Sequence, residues 1–231
     1  MDKLDFYKSN DKKYNINIKN QGLTRKNNIF TSIIAPFNSY TMDYLFLSGK
    51  TYNLESKIII LAFIETTSRY VIIYKVNDRT TDTLIETFEQ FKDKYNPISI
   101  TNDAEHSFND KRFREYLKSN NIKQYIHNVK QTGKHTPLSL IDRFCRTFRT
   151  MIYKYININN EYINDRILYD IVNKYNNSPH SALPKYIFNE KRYKNGTIHS
   201  YMKNRTPYEV FNSEELQNIT KSEAINKKNN N

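Results

Sequence analysis

KIIILAFIETTSRYVIIYKV, residues 57–76, decides the fold. Its first part, Lys57 to Glu65, is a near-continuous apolar run of strand length, the pattern of a buried central strand. Thr66, Thr67 and Ser68 supply a turn, and Arg69 to Val76 reads as the next strand, rich in β-branched and aromatic residues. Upstream, SYTMDYLFL at 39–47 is another strand of the same kind. The short links predict that these three strands form an antiparallel meander.

Downstream the period changes. From Thr80 to Tyr95 the residues Leu84, Ile85, Phe88 and Phe91 share one helical face, and Pro97 stops that helix. Ile98 to Thr101 is a short strand, Asp110 to Ser119 a helix with Phe113, Tyr116 and Leu117 on one side, and Lys123 to Ile126 a fifth strand. Pro137 opens another helix, with Thr136 as its N-cap. Within it Leu138, Ile141, Cys145, Phe148 and Ile152 follow at steps of 3, 4, 3 and 4, one apolar stripe. A further helix covers Tyr162 to Tyr175. The order βββ-αβ-αβ-α predicts an α/β fold with a mixed five-stranded sheet flanked by helices.

The ends differ from this patterned region. Residues 1–36 are polar, rich in Lys and Asn, and read as a basic N-terminal arm. Residues 213–231 read as a disordered Lys/Asn-rich tail, which leaves 37–212 as the core. A formal net charge of +12 and a pI near 9.5 point to a polyanionic partner, because basic residues that neutralise phosphates release condensed counterions. The basic residues are widely spread, so part of the excess is also explained as solubilising charge. The single cysteine, Cys145, excludes an intramolecular disulfide and a cysteine-based zinc finger. The best apolar run, Ile58 to Ile64, is too short for a bilayer, so no membrane partner is expected. The first residues, Met-Asp-Lys-Leu-Asp, lack the apolar region of a secretory signal, and the expectation is an intracellular protein.

Three aspartates stand out by position. Asp43 lies within a strand among apolar neighbours, where an ionised carboxylate is costly unless paired or bound to metal. Asp103 follows the fourth strand in ISITNDAEHSF, and Asp142 sits one turn into the helix after Pro137, opposite the apolar stripe. If the first and fourth strands are neighbours and that helix crosses their ends, the three converge. Clustered carboxylates repel one another, and hard Mg²⁺ or Mn²⁺ suits an all-oxygen donor set. Each residue also has a plainer account. Asp43 fits the solvent face of a strand, Asp103 a turn, and Asp142 an ion pair with Arg146 four residues on.

TMDYLFL followed by IIILAFIETTSRYVIIYKV resembles the first three strands of the retroviral-type integrase and transposase core, with its first catalytic aspartate and its Ser-Arg-Tyr turn. ITNDAEHSF resembles the second-aspartate motif, commonly Asp-x-Gly-x-Glu-Phe, and KHTPLSLIDRFCRTFRTMI the helix that carries the third acid. NKYNNSPHSAL and NRTPYEVF are similar to the family's Tyr-Asn, His and Thr-Pro segments. The resemblance runs from about Ile34 to Phe211 and is nearest to the self-synthesising Maverick/Polinton elements and their viral relatives.

The resemblance implies an RNase H-like fold, DNA 3′-end processing and strand transfer, and two divalent ions held by Asp43, Asp103 and Asp142. Asp142 follows Asp103 by 39 positions, close to the family's usual separation. It also implies a homo-oligomer on DNA ends and a location in the nucleus, or in a viral factory or virion for a viral protein. Three departures qualify this. The third acid is Asp142 where Glu is typical. Glu105 and Ser107 stand where the second motif has Gly and Glu, which adds a carboxylate nearby. The zinc-binding domain is not apparent, so a separate protein is expected to recognise the ends.

Lys130, Lys134 and His135 precede the acid-bearing helix and are candidates for DNA phosphates, as are Arg143, Arg146 and Arg149 on the polar sides of that helix. His106 reads as a surface histidine near the site, His180 as a turn residue and Cys145 as core. An active transferase therefore competes with two alternatives. One is an integrase-derived DNA-binding or structural protein without catalysis, the other a nuclease that does not join.

Overall fold

The computed structural model describes residues 35–49, 57–127, 138–159, 162–180, 183, 185–188, 193–194, 197–198 and 201–229. Strands β1 (Ser39–Leu47), β2 (Ile58–Glu65) and β3 (Val71–Val76) pair antiparallel in chain order, the expected meander. Helix α1 (Thr81–Tyr95) leads to β4 (Ser99–Asp103), which runs parallel to β1. The short α2 (His106–Asn109) and α3 (Lys111–Ser119) lead to β5 (Lys123–His127), parallel to β4. The sheet order is β3-β2-β1-β4-β5, a mixed five-stranded sheet of the RNase H-like kind. Helices α4 (Ser139–Asn159) and α5 (Asp165–Asn176) follow.

Alternation along the strands makes two cores. On one face Leu45, Leu47, Ile60, Ala62 and Ile73 pack against Ile141, Phe144, Phe148 and Ile152 of α4 and Leu168 and Ile171 of α5. On the other, Met42, Tyr44, Leu61 and Phe63 meet Leu84, Phe88 and Phe91 of α1 and Phe113 of α3. Phe63 stacks on Phe91 with ring centroids 3.9 Å apart. Helix ends follow local chemistry. Thr80 caps α1 by accepting from the Thr83 N–H, and Asn96 closes it at φ 44°, a left-handed position that Asn tolerates.

Several boundaries differ from the sequence reading. Strand β4 extends through Asp103, so this residue ends the strand and does not follow it. Helix α5 starts at Asp165 because the Asn164 side chain accepts from the Ile167 N–H and fixes the first turn there. Thr136 and Pro137 lie outside the described residues. The expected disordered tail is corrected: Glu214–Asn229 forms helix α7. Ser213 Oγ accepts from the Leu216 N–H, Glu214 and Glu215 suit the first turn, and Gln217 and Thr220 are buried. Before it, α6 (Pro207–Phe211) opens with a capping box between Thr206 and Glu209. Two small ribbons, β6 (Lys185–Phe188) with β9 (Tyr201–Asn204) and β7 (Tyr193–Lys194) with β8 (Thr197–Ile198), have no counterpart in the sequence reading.

The family-like segments beyond the strands have structural roles. Asn176 bonds both polar groups of Val71 at the edge of β3: its Oδ1 accepts from the N–H at 2.9 Å, and its Nδ2 donates to the carbonyl at 2.8 Å. Phe211 stacks on Tyr70 of the Ser-Arg-Tyr turn at 4.3 Å, which ties the Thr-Pro helix to the sheet. Glu65, fully buried, accepts from the Thr67 and Ser68 N–H groups and the Ser68 hydroxyl, and so builds the turn from inside.

Candidate metal centre

Parallel pairing of β1 and β4 sets Ser39 opposite Ser99 and Thr41 opposite Thr101. Two positions further along come Asp43 and Asp103. Both point to the face covered by α4, since Asp43 alternates with Leu45 and Leu47 and Asp103 with Thr101. Neighbouring strands lie about 4.8 Å apart, so the two carboxylates meet side by side. Glu105, just past the end of β4, joins them. One carboxylate oxygen from each of Asp43, Asp103 and Glu105 lies within 4.8 Å of the others, and all three residues are half-buried.

The loop after β4 is held from several sides. Asp103 accepts from the Glu105 N–H at 3.1 Å, which curls the chain back toward the strand end. Gln124 on β5 donates to Asn102 Oδ1 and to the Phe108 carbonyl. Phe108 is buried and stacks on Tyr44, the neighbour of Asp43, at 4.8 Å. Arg79, just before α1, pairs with Glu105 at 2.5 Å and lies over the Phe46 ring. Asp43 accepts from the Tyr44 N–H at 2.7 Å.

Burial pushes the Asp43 carboxyl up from its ordinary 3.8 to about 7, and Asp103 adds to the rise. The Tyr44 hydrogen bond opposes it, while Asp142 and Glu105 add smaller repulsions. A carboxylate so placed gains from a nearby cation. The donors are oxygen only, which fits Mg²⁺ or Mn²⁺ and excludes the thiolate and imidazole sets of structural zinc.

Asp142 lies in the first turn of α4, exposed, with its N–H bonded to the Leu138 carbonyl at 3.0 Å. It is close enough to Asp43 to repel it, but among the described residues the tight group of carboxylates contains Glu105 and not Asp142. The convergence read from sequence is therefore close for Asp43 and Asp103 and looser for Asp142. Glu105 was legible as an added acid near the site. What places it in the group is the curl of the loop.

Arg143 and Arg146 are exposed on α4 and Arg149 is half-exposed. Arg143 faces Arg69, Tyr175 and His180, whereas Arg149 acts on Cys145, which lies beside Asp43 and Asp142. Lys130, Lys134 and His135 fall outside the described residues. His106 is exposed near Asp110. His180 packs beside Tyr175, and burial, with Arg69 and Arg143, lowers its pKa to about 4. Cys145 is buried in the core on α4, as expected. No described helix is long and apolar enough to cross a membrane.

Residues 35–131 match the family model described as integrase core domain. The chain resembles a protein in the intasome of simian T-cell lymphotropic virus, solved with PP2A regulatory subunit B56 gamma. Identity there is 16% and the TM-score 0.59, over 80% of this chain and 57% of that one. It also resembles the HTLV-2 integrase catalytic core domain in complex with magnesium, in its dimeric form, at 16% identity and a TM-score of 0.54 over 76% of this chain and 95% of that one. The catalytic core domain of BIV integrase matches at 17% identity and a TM-score of 0.52, over 75% and 93% of the two chains. Comparison with curated proteins finds no match.

Proposed function

For a chain that carries an integrase core domain, we propose metal-dependent DNA polynucleotidyl transfer, with 3′-end processing followed by strand transfer. The observation that carries this reading is the meeting of Asp43, Asp103 and Glu105 within 4.8 Å on the sheet face under α4. Asp43 and Asp103 hold Mg²⁺ or Mn²⁺, with Asp142 as the third acid by position. Bound there, such ions would supply Lewis-acid activation of a water or 3′-hydroxyl and charge stabilisation at the leaving oxygen of in-line phosphoryl transfer.

The chain's own residues do the rest. Asp43 is kept from bulk water by its place in the sheet, and Arg79 steadies Glu105 at the rim. Arg143, Arg146 and Arg149, with Lys130 and Lys134, supply cations for the DNA backbone, and His135 a hydrogen-bond donor to it. DNA is joined with no covalent protein intermediate.

The relatives support this direction: one is part of an intasome, and another is a dimeric core with magnesium. By extension this chain acts as a homo-oligomer on DNA ends. The chain spans 57% of the intasome protein, and recognition of the ends by a separate protein belongs to the same proposal. The working location is the nucleus, or a viral factory or virion.

One observation favours a second reading, a DNA-binding or structural protein that has lost catalysis: Asp142 stands outside the close carboxylate group. A nuclease that cuts without joining is a third. The full chain incubated with Mn²⁺ and labelled DNA ends, beside an Asp103→Asn variant, separates them. Joining lost in the variant supports transfer, and nicking alone supports the nuclease. Salt-sensitive binding without cleavage supports the second reading.

A further inference from the structure

The sheet face that bears Asp43 and Asp103 carries a second feature. A groove of about 360 Å³ opens over β1, β4 and β5, lined by Ser39, Thr41, Ser99, Thr101, Lys123 and Tyr125 among others. These side chains come from alternate strand positions, in line with Asp43 and Asp103. Thr41 is two residues from Asp43 and Thr101 two from Asp103, so the groove runs to within roughly 7 Å of the acidic cluster.

Its lining mixes hydroxyls with apolar groups from Ala35, Pro36 and Ile98, and one hydroxyl is unsatisfied. Thr41 is 0% exposed, yet its Oγ1 has no hydrogen-bond partner among the described residues, an expensive state for a buried hydroxyl. Ser99 Oγ donates to Ser39 Oγ at 2.9 Å, which fixes the floor. At the mouth Lys123 is exposed and has no ion pair among the described residues. Tyr125 is 55% exposed beside it, its ring face open to a planar partner.

We propose that this groove holds the DNA strand that runs into the acidic cluster. Lys123 neutralises a phosphate, the Thr41 hydroxyl donates to a phosphate or sugar oxygen, and the Tyr125 ring stacks on a base. The assignment rests on the polynucleotidyl-transfer reading, because it takes the cluster as the end point of the strand. A cation at the mouth, hydroxyls along the floor and an exposed ring match a sugar–phosphate chain. An apolar ligand would leave Thr41 unpaired.

The full chain is titrated into fluorescein-labelled duplex DNA over a range of salt, with Lys123→Gln, Tyr125→Ala and Thr41→Val. Lys111→Gln on α3, across the sheet, is the control. Lys123→Gln is expected to weaken binding about tenfold and to make the salt dependence shallower by about one. Tyr125→Ala weakens binding several-fold. Thr41→Val melts no lower than the parent yet binds DNA more weakly, a combination that a merely structural role does not give.

Parent-like binding by all three variants overturns the assignment, as does an equal loss in Lys111→Gln. Mn²⁺-dependent cleavage is followed in parallel. Cleavage by the parent with indifferent groove variants removes the groove alone. Groove-dependent binding without cleavage keeps the groove and removes the catalytic reading, and a parent that binds no DNA removes both.

Discussion

Arg79 Nη1 stands 2.5 Å from Glu105 Oε1, so the acid that joins Asp43 and Asp103 is tethered from the start of α1. The guanidinium also rests over Phe46 on β1, which braces the β3–α1 connection against the site. Glu105→Gln is expected to weaken Mn²⁺ binding several-fold in calorimetry. Arg79→Ala lowers stability by less than about 1 kcal/mol, because the pair is partly solvated. Unchanged Mn²⁺ affinity in Glu105→Gln would take that residue out of the centre.

Asp43 sets a pH dependence for the metal-free protein. Its carboxyl ionises near 3.8 in the unfolded chain and near 7 in the folded one, burial being the main cause and Asp103 the next. Between these values the folded state binds more protons, so the contribution of Asp43 to stability falls as pH rises through this window and is constant above it. Melting temperatures from about pH 5 to about pH 8 read this slope. Asp43→Asn removes it, and Mn²⁺ raises the melting temperature most on the alkaline side. Identical profiles for parent and Asp43→Asn would contradict the assignment.

Asn176 should matter more for stability than its single side chain suggests. It satisfies both the N–H and the carbonyl of Val71 inside the protein. Asn176→Leu leaves both unpaired and is expected to cost about 2–5 kcal/mol in denaturant unfolding. A loss below about 1 kcal/mol would mean that water reaches this edge of β3.

Cys145 is expected to be inert in the native state. It is buried, and its thiol is pushed up to about 12, chiefly by burial and then by the Asp43 carboxylate. A chromogenic disulfide reagent near pH 8 should react only after unfolding. Prompt reaction of the native protein would show that α4 opens readily.

The meander was legible because β2 is apolar nearly throughout and its links are short, so few other pairings were open to it. The stripe from Ile141 to Ile152 likewise announced the buried side of α4. Helix α7 was not legible: its polar composition hides the stabilisation that comes from Ser213 and from contact with α6. At the centre, the pairing of Asp43 with Asp103 follows from strand alternation once β1 and β4 are taken as neighbours. The entry of Glu105 does not. It depends on the backbone curl after Asp103 and on Arg79, contacts that no spacing rule encodes.

Because β1 and β4 each contribute one acid from the same pleat, the centre obeys a parity rule. Removing one residue between Ser99 and Asp103 would swing that carboxylate through the sheet into the aromatic layer around Phe88 and Phe91, leaving its partner behind. Length changes in the connection between β3 and α1 carry no such inversion. Homologous chains should therefore vary freely in loop length while holding the count inside these two strands constant.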